Sequence, residues 1–474
     1  MKIHIFQILS VFILLSCVAC EKQLEEEVFS ELTPETFLTT EVGMNSVLNS
    51  AYSHGQLHFF DAQNAHYFAP GFTSGAFWNK GGGIEVWWAS LTNFTWTSNH
   101  RYTGGYWLEN YAAIRDANLI LDHIDNGDFS DEIKNSMVAE ATFIRALSYV
   151  QLYNFFGPVP LYTSSSTESI FIPRAEESEL KSFIEEELIT AANSLPRDAA
   201  EYGRATKGAA LGILCKYYLN THQWQKSVDI TQQIFNLDKY GLENNFADVF
   251  ALNNEGNSEF LYVIPFVAPT VSQYLNALIF PTDYPRLPTQ QVWGARTYLF
   301  DDFVNSFEVT DTRKDMIVTE YINTSGDSIV LLGIDQSLSL KYEFDPSASG
   351  AGNGNDLPLL RYSDILLSRA EALNELNGPT QEVIDLINEV RGRAGASLLT
   401  LSGFSKESLR ASILEEREWE FYFEGKGRED QIRQGVFISN AQARGKNAQP
   451  YHVYFAIPQI DIDANPLIEQ NEGY

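Results

Sequence analysis

Apolar positions recur every three or four residues over much of this chain, the spacing of one face of a helix. In 107–124 they fall at Trp107, Tyr111, Ile114, Leu121 and Ile124, which predicts a helix with one buried face. Ser130 stands where a helix cap belongs. The pattern after it carries Phe143, Leu147 and Val150, and Gly157-Pro158-Val159-Pro160 stops it. Thr40 followed by Glu41 opens an earlier helix. Further helical stretches cover 176–195, 205–236, 362–377, 380–394 and 406–424. Within the second of these, 207–220 and 224–236 are joined by Thr221-His222-Gln223. That reads as a helix–turn–helix close in size to a tetratricopeptide unit of about 34 residues. Trp224 and Trp419 sit inside helical patterns and read as structural. In 406–424, Leu409, Ile413, Arg417, Phe421 and Glu424 share helical spacing, and the charged members predict a salt-bridged scaffold.

Between about 255 and 345 the character changes. Phe260-Leu261-Tyr262-Val263-Ile264 and Ser328-Ile329-Val330-Leu331-Leu332 have the composition of short strands. The glycine-rich stretch 349–356 reads as a flexible loop. The expectation is a mainly α fold: tetratricopeptide-like helix pairs, an irregular loop-rich portion and a few short strands. Residues 41–254 form the N-terminal portion and 255–474 the C-terminal one.

The first residues obey a different rule. An apolar run from Ile5 to Leu15 is broken only by Gln7 and Ser10. As a helix it covers roughly 16 Å, short of the ~20 residues a bilayer core requires. Residues 1–19 therefore read as a signal peptide. It ends in Ser16-Cys17-Val18-Ala19-Cys20, which resembles a bacterial lipobox. Two registers are open, with Cys17 or Cys20 as the lipidated residue, and Cys20 is favoured. Residues 20–40 then form the lipidated start and a tether. Several acyl chains anchor a protein stably where one does not.

Charge narrows the partners. There are 62 acidic against 32 basic residues, a net charge of -30. Such a surface repels phosphate backbones, so nucleic acid is not an expected partner. It repels anionic lipid too, which makes an explicit anchor necessary. Three cysteines, Cys17, Cys20 and Cys215, supply neither a disulfide framework nor a tetrahedral zinc set. Cys215 reads as a small buried residue. No catalytic signature, metal site or cofactor loop is present. His54 and His58 are four apart, but Gly55 weakens the helix that would align them. Carboxylate pairs suited to glycoside hydrolysis occur everywhere in so acidic a chain, and none stands out.

Aromatic residues concentrate instead. Trp78, Trp87, Trp88, Trp96 and Trp107 lie within thirty residues, interleaved with Gly, Asn, Ser and Thr. Flat rings cover the C–H faces of sugars while polar neighbours bond the hydroxyls. Trp107 starts a periodic helix and reads as core. On a strand Trp87 and Trp88 would face opposite ways, so one of them is expected at the surface. The candidate ligand contacts are Trp78, Trp88 and Trp96, with Asn99 and Arg101 as polar partners. Tyr284 and Trp293 join them from the second irregular region.

The C-terminal quarter carries more specific patterns. Arg361-Tyr362-Ser363-Asp364-Ile365-Leu366-Leu367, Ile387-Asn388-Glu389-Val390-Arg391-Gly392-Arg393 and Trp419-Glu420-Phe421-Tyr422-Phe423-Glu424-Gly425 follow in order, and Gln470-Asn471-Glu472-Gly473-Tyr474 closes the chain. Earlier, Phe156-Gly157-Pro158-Val159-Pro160-Leu161 and Asp311-Thr312-Arg313 fit the same series. Together they resemble the SusD/RagB family of outer-membrane lipoproteins. One departure is visible: Lys426-Gly427-Arg428-Glu429 stands where the family usually shows an Arg and aromatics before an Asp. The resemblance implies four tetratricopeptide-like helix pairs on one side of the molecule. It implies a binding protein without catalysis or cofactor, held at the outer face of the outer membrane by its acyl anchor. It also implies a glycan as ligand, or a peptide as in some relatives, and a SusC-type TonB-dependent transporter as partner, with the chain as its lid.

Overall fold

A computed structural model describes residues 37–166 and 171–474. The signal peptide, both lipobox cysteines and most of the tether lie outside the described residues.

The helices begin where capping residues place them. Thr40 caps α1 (Glu41–Gly55), accepting from the Gly43 backbone N–H at 3.0 Å. α2 (Phe60–Ser74) follows and ends on Gly75, whose φ of 90° lies in the left-handed region. A short strand β1 (Phe77–Asn79) leads to α3 (Glu85–Asn93) and α4 (Arg101–His123). Ser130 caps α5 (Asp131–Phe156) as expected. Then come α6 (Glu177–Ser194), α7 (Lys207–Asn220) and α8 (Trp224–Phe235). These helices pack in succession: α1 on α4, α4 on α5, α5 on α6, α6 on α7 and α7 on α8. α5 sits inside this stack and is buried on almost every side from Ala139 to Phe156, which is why its apolar residues run round the helix.

The irregular portion supplies four antiparallel two-stranded ribbons. β1 pairs with β3 (Thr297–Leu299), bringing Trp78 opposite Tyr298. β2 (Phe260–Ile264) pairs with β8 (Leu357–Arg361). Between them lie α9 (Leu275–Ile279), α10 (Asp301–Ser306) and the strands β4 (Ile317–Val318), β5 (Glu320–Ile322), β6 (Ser328–Val330) and β7 (Leu338–Ser339). The predicted strand 328–332 thus stops at Val330, because Leu331 and Leu332 turn back to bond Thr319. Residues 349–356 are tied at several points. The Gly350 N–H donates to the Thr289 carbonyl, and the Asn353 N–H donates to the Gln273 carbonyl. α7 lies so close to β8 that a Cβ on Gly212 would fall 2.1 Å from Leu360 Cδ2.

The chain returns to helices with α11 (Tyr362–Asn377), α12 (Gln381–Arg393) and α13 (Lys406–Phe421), followed by α14 (Gly427–Arg433), α15 (Phe437–Ala443) and α16 (Gln459–Ala464). α8 packs on α11, and α11 on α12 and α13, so the helical stack continues. α13 ends three residues before the predicted 424. The main hydrophobic cluster runs from Leu38 to Ile468 and crosses the boundary at 254/255. Cys215, Trp107 and Trp419 are all in the interior, and Trp224 is partly covered, stacked on His222 at 4.9 Å.

The charged row of α13 is a buried ion network. Arg417 is fully buried and reaches Asp364 at 2.8 Å and Asp430 at 2.9 Å. Arg313 holds Asp311 and Glu416, each at 2.7 Å. Arg361 pairs with Glu259, Glu420 and Glu424. Lys341 donates to the Glu420 and Tyr422 carbonyls and to Glu424. Buried charges require partners of this kind. Several charged residues of the motifs that carried the family resemblance, Asp311, Arg313, Arg361, Asp364, Glu420 and Glu424, are members of this network.

Candidate functional site

Trp88 and Trp96 do not form a surface. Residues 85–93 are helical, so Trp87 and Trp88 do not alternate as on a strand. Trp88 takes the inner face and is completely buried, stacked on Tyr102 at 4.3 Å and Phe72 at 4.9 Å. Trp87 is the part-exposed neighbour, edge-on to His100. Trp96 is buried between His452 and Phe455, and its indole N–H donates to the Tyr474 hydroxyl at 2.7 Å. Both rings are core, a correction to their place among the ligand contacts.

The remaining candidates separate into two groups. Trp293 is 45% exposed. Its ring stacks on Tyr274 (5.4 Å between centroids, 22° between planes), and Phe60 stands edge-on to both at 5.7 and 5.6 Å. The Trp293 backbone N–H donates to the Ala277 carbonyl, and Gln63 of α2 accepts from the Tyr274 N–H. The first bond ties Trp293 to α9, and the second ties Tyr274 to α2. Beside Phe60, Asp61 accepts from Arg101 Nε at 2.9 Å. Gly105 leaves room for it, since a Cβ there would lie 2.5 Å from the Asp61 Cβ. Asp61 Oδ1 is buried without a partner, while half of the Arg101 side chain is exposed. The hydrogen bond to Asp61 raises the guanidinium pKa further. Burial pushes the neighbouring Tyr102 phenol up to about 12, so it stays neutral. Asn99 lies exposed just before Arg101.

The second group lies on the β1–β3 ribbon and the loop before it. Trp78 packs on Tyr298 at 5.5 Å, and its indole N–H donates to the Asp335 carbonyl. Tyr284 is half-buried against Phe280 and Tyr321. The Tyr321 hydroxyl donates to Asp283 at 2.9 Å. These rings are more enclosed than Trp293.

The structure therefore joins Arg101 and Trp293, distant in sequence, across the Phe60-Asp61 step. Phe60, Asp61 and Tyr274 were not singled out in the sequence, because a lone aromatic at a helix start and another in a loop give no periodic signal. His54 does not act with His58. Its ring meets Glu109 at 2.5 Å and stacks on Phe59. Among the described residues no group of three His, Cys, Asp or Glu side chains is placed to hold a metal, and no helix is long and apolar enough to cross a membrane.

Comparison with known proteins adds the lineage. The model of the SusD family matches residues 338–474, and one described as "Starch-binding associating with outer membrane" matches 22–219. The chain is 28% identical to SusD-like protein P25 of Formosa agariphila, over 98% of this chain and 99% of that one. The chain belongs to the SusD/RagB family. Another family member, the starch-binding protein SusD of Bacteroides thetaiotaomicron, is 25% identical over 81% of each chain. The fold of the SusD/RagB chain also matches surface glycan-binding protein A from Bacteroides thetaiotaomicron, solved in complex with laminarihexaose. The TM-score is 0.76 at 20% identity, covering 91% of this chain and all of the other. The charged motif residues Arg361, Asp364, Glu420 and Glu424 fall on the buried ion network and not on the aromatic surface.

Proposed function

We propose that this chain is a cell-surface glycan-binding lipoprotein that captures an oligosaccharide on the Trp293–Tyr274–Phe60 surface. The observation that carries the reading is the exposed Trp293 ring, held by stacking on Tyr274 and flanked by the Arg101–Asp61 pair. An apolar face beside paired donors and acceptors matches the two-sided chemistry of a pyranose ring. Asn99 and Arg101 then serve as rim contacts. Trp78 and Tyr284 extend the surface toward a longer ligand. In this reading Cys20 carries the acyl chains, the body faces the cell exterior, and the glycan passes to a SusC-type TonB-dependent transporter. Catalysis has no part in it. The family description of outer-membrane association and the relative named for starch binding support the assignment.

The test is binding of residues 21–474 to a polysaccharide panel by affinity gel and calorimetry, with a peptide panel in parallel. One glycan is expected to bind, and Trp293→Ala to weaken it at least tenfold while the thermal midpoint holds. Binding that ignores Trp293, or that appears only with peptides, overturns the reading. Co-purification of the lipidated protein with its transporter tests the partner.

A further inference from the structure

At the far end of α2 from Trp293, the segments around Ser74, α10, α13 and Gly425–Gly427 enclose a cavity of about 260 Å³. Three carboxylates line it, Asp302, Glu415 and Glu418. Among the described residues none of the three makes an ion pair. Two of the cations in the lining are engaged outside it: Arg417 is ion-paired with Asp364 and Asp430, and Lys426 donates to the Leu359 carbonyl at 2.8 Å. Arg444 donates to the Thr73 carbonyl at 3.0 Å and its charge also acts on Glu418, but one such cation leaves three carboxylates in excess. Two further groups point to a missing ligand. Gln431 is 3% exposed, and its amide donates to the Ser74 carbonyl and to Glu418, yet its Oε1 has no partner. Tyr67 is fully buried and its hydroxyl has no partner either. Buried polar atoms are rarely left unpaired. The aromatic wall includes Trp419 and Tyr422.

We infer that this cavity binds a small organic cation bearing a guanidinium or primary ammonium group, with Glu418 as its counter-ion. Gln431 Oε1 and the Tyr67 hydroxyl accept its N–H groups, and the Trp419 and Tyr422 side chains wall the space beside them. Burial lifts the Glu418 carboxyl above the usual carboxylate range, and a cation in contact favours the ionised form again. Gly427 belongs to the stretch where the chain departs from the family pattern, and it lines the cavity. A side chain at this position has the cavity as its outlet. Its Cβ would press only on the Ser74 side chain, 2.8 Å from the hydroxyl, which a rotamer change relieves.

The probe is methylguanidinium chloride, titrated into residues 21–474 by calorimetry and thermal shift against matched sodium chloride. Saturable binding is expected in the wild-type chain. Glu418→Gln is expected to weaken it at least tenfold. Gly427→Arg, which brings a guanidinium into the same space, is expected to abolish it. The proposal is overturned if the wild-type chain gives no saturable signal, or if Glu418→Gln binds as tightly as wild type. Glu418→Gln decides the matter even where Gly427→Arg fails to fold.

Discussion

Trp293 and Trp88 carry the same ring into opposite surroundings, and their variants separate binding from folding. Trp88 fills the space between Phe68, Phe72 and Tyr102. Its loss to alanine leaves a cavity in a packed core, costing roughly 3–5 kcal/mol. Denaturant unfolding of Trp88→Ala is expected to show that loss as an earlier midpoint; a midpoint near wild type removes Trp88 from the core. Trp293 packs on two rings and keeps 45% of its surface exposed, so Trp293→Ala is expected to cost clearly less than Trp88→Ala. The sequence showed where tryptophans crowd but not which ones point outward. For Trp87 and Trp88 the answer turned on helix against strand, and a local aromatic pair without clear periodicity does not distinguish them. Asp61 and Tyr274 were illegible for another reason. Their roles arise only when α2, α4 and the loop before α9 meet, contacts between residues as distant as Phe60 and Trp293.

α13 shows an element whose sequence stated its role plainly. A charged row at helical spacing, repeated among apolar residues, required partners on facing elements, and β8, α11 and α14 provide them. What the row left out was the wiring, because Arg313 and Lys341 come from loops far away in sequence. Removing one member leaves its partners charged and buried. Arg417→Ala is expected to cost about 3–5 kcal/mol, read as a fall in the denaturant midpoint; a loss below about 1 kcal/mol would mean the network is dispensable. The same wiring sets an acid limit. Burial is the largest single influence on Asp364 and Asp430 and raises both, but the surrounding cations, Arg417 first among them with Lys216 beside it, together bring each below its ordinary value. Both therefore ionise more readily in the folded chain than at the ~3.9 of an unfolded aspartate. The stability they add is present above that value and is lost as pH falls through the lower folded values. Thermal midpoints measured from pH 5 to pH 2 are expected to fall less steeply in Arg417→Leu than in wild type, since the two carboxyls no longer titrate so low. Parallel curves would show that the guanidinium does not set their titration.

At the scale of the whole molecule, the helical stack was the most readable part, because caps, period and stop signals agree along it. Thr40, Ser130, Thr206, Thr380 and Ser405 each cap the helix that follows. The ribbons were less readable, since strands of two to five residues pair across long loops and carry too few residues to show a period. Burial on this scale also collects titratable groups that no motif announces. His58, His100 and His452 are lowered to about 4 and His66 to about 3, in each case chiefly by burial. An unfolded histidine takes its proton near 6.5. Between that value and about 4 the unfolded chain binds more protons than the folded one, so stability falls as pH falls. The net charge of -30 acts in the opposite direction, because protonating surface carboxylates relieves self-repulsion, but that relief belongs to pH values near and below 4.5. In the window from pH 6.5 to 5 the four histidines act against Glu255, which burial lifts to about 7 and which takes up its proton in the folded chain first. His100 is 4% exposed and caps α4, accepting from the Thr103 N–H. A proton there would cost the cap its acceptor and place positive charge at a helix start, where the dipole opposes it. Each such ring contributes roughly 1.4 kcal/mol per pH unit below 6.5. The thermal midpoint is accordingly expected to drop from pH 7 to pH 5, and His100→Asn, which keeps a capping oxygen and cannot titrate, to flatten part of that slope. A midpoint that stays level or rises over this range would mean that the buried imidazoles gain compensating contacts when protonated.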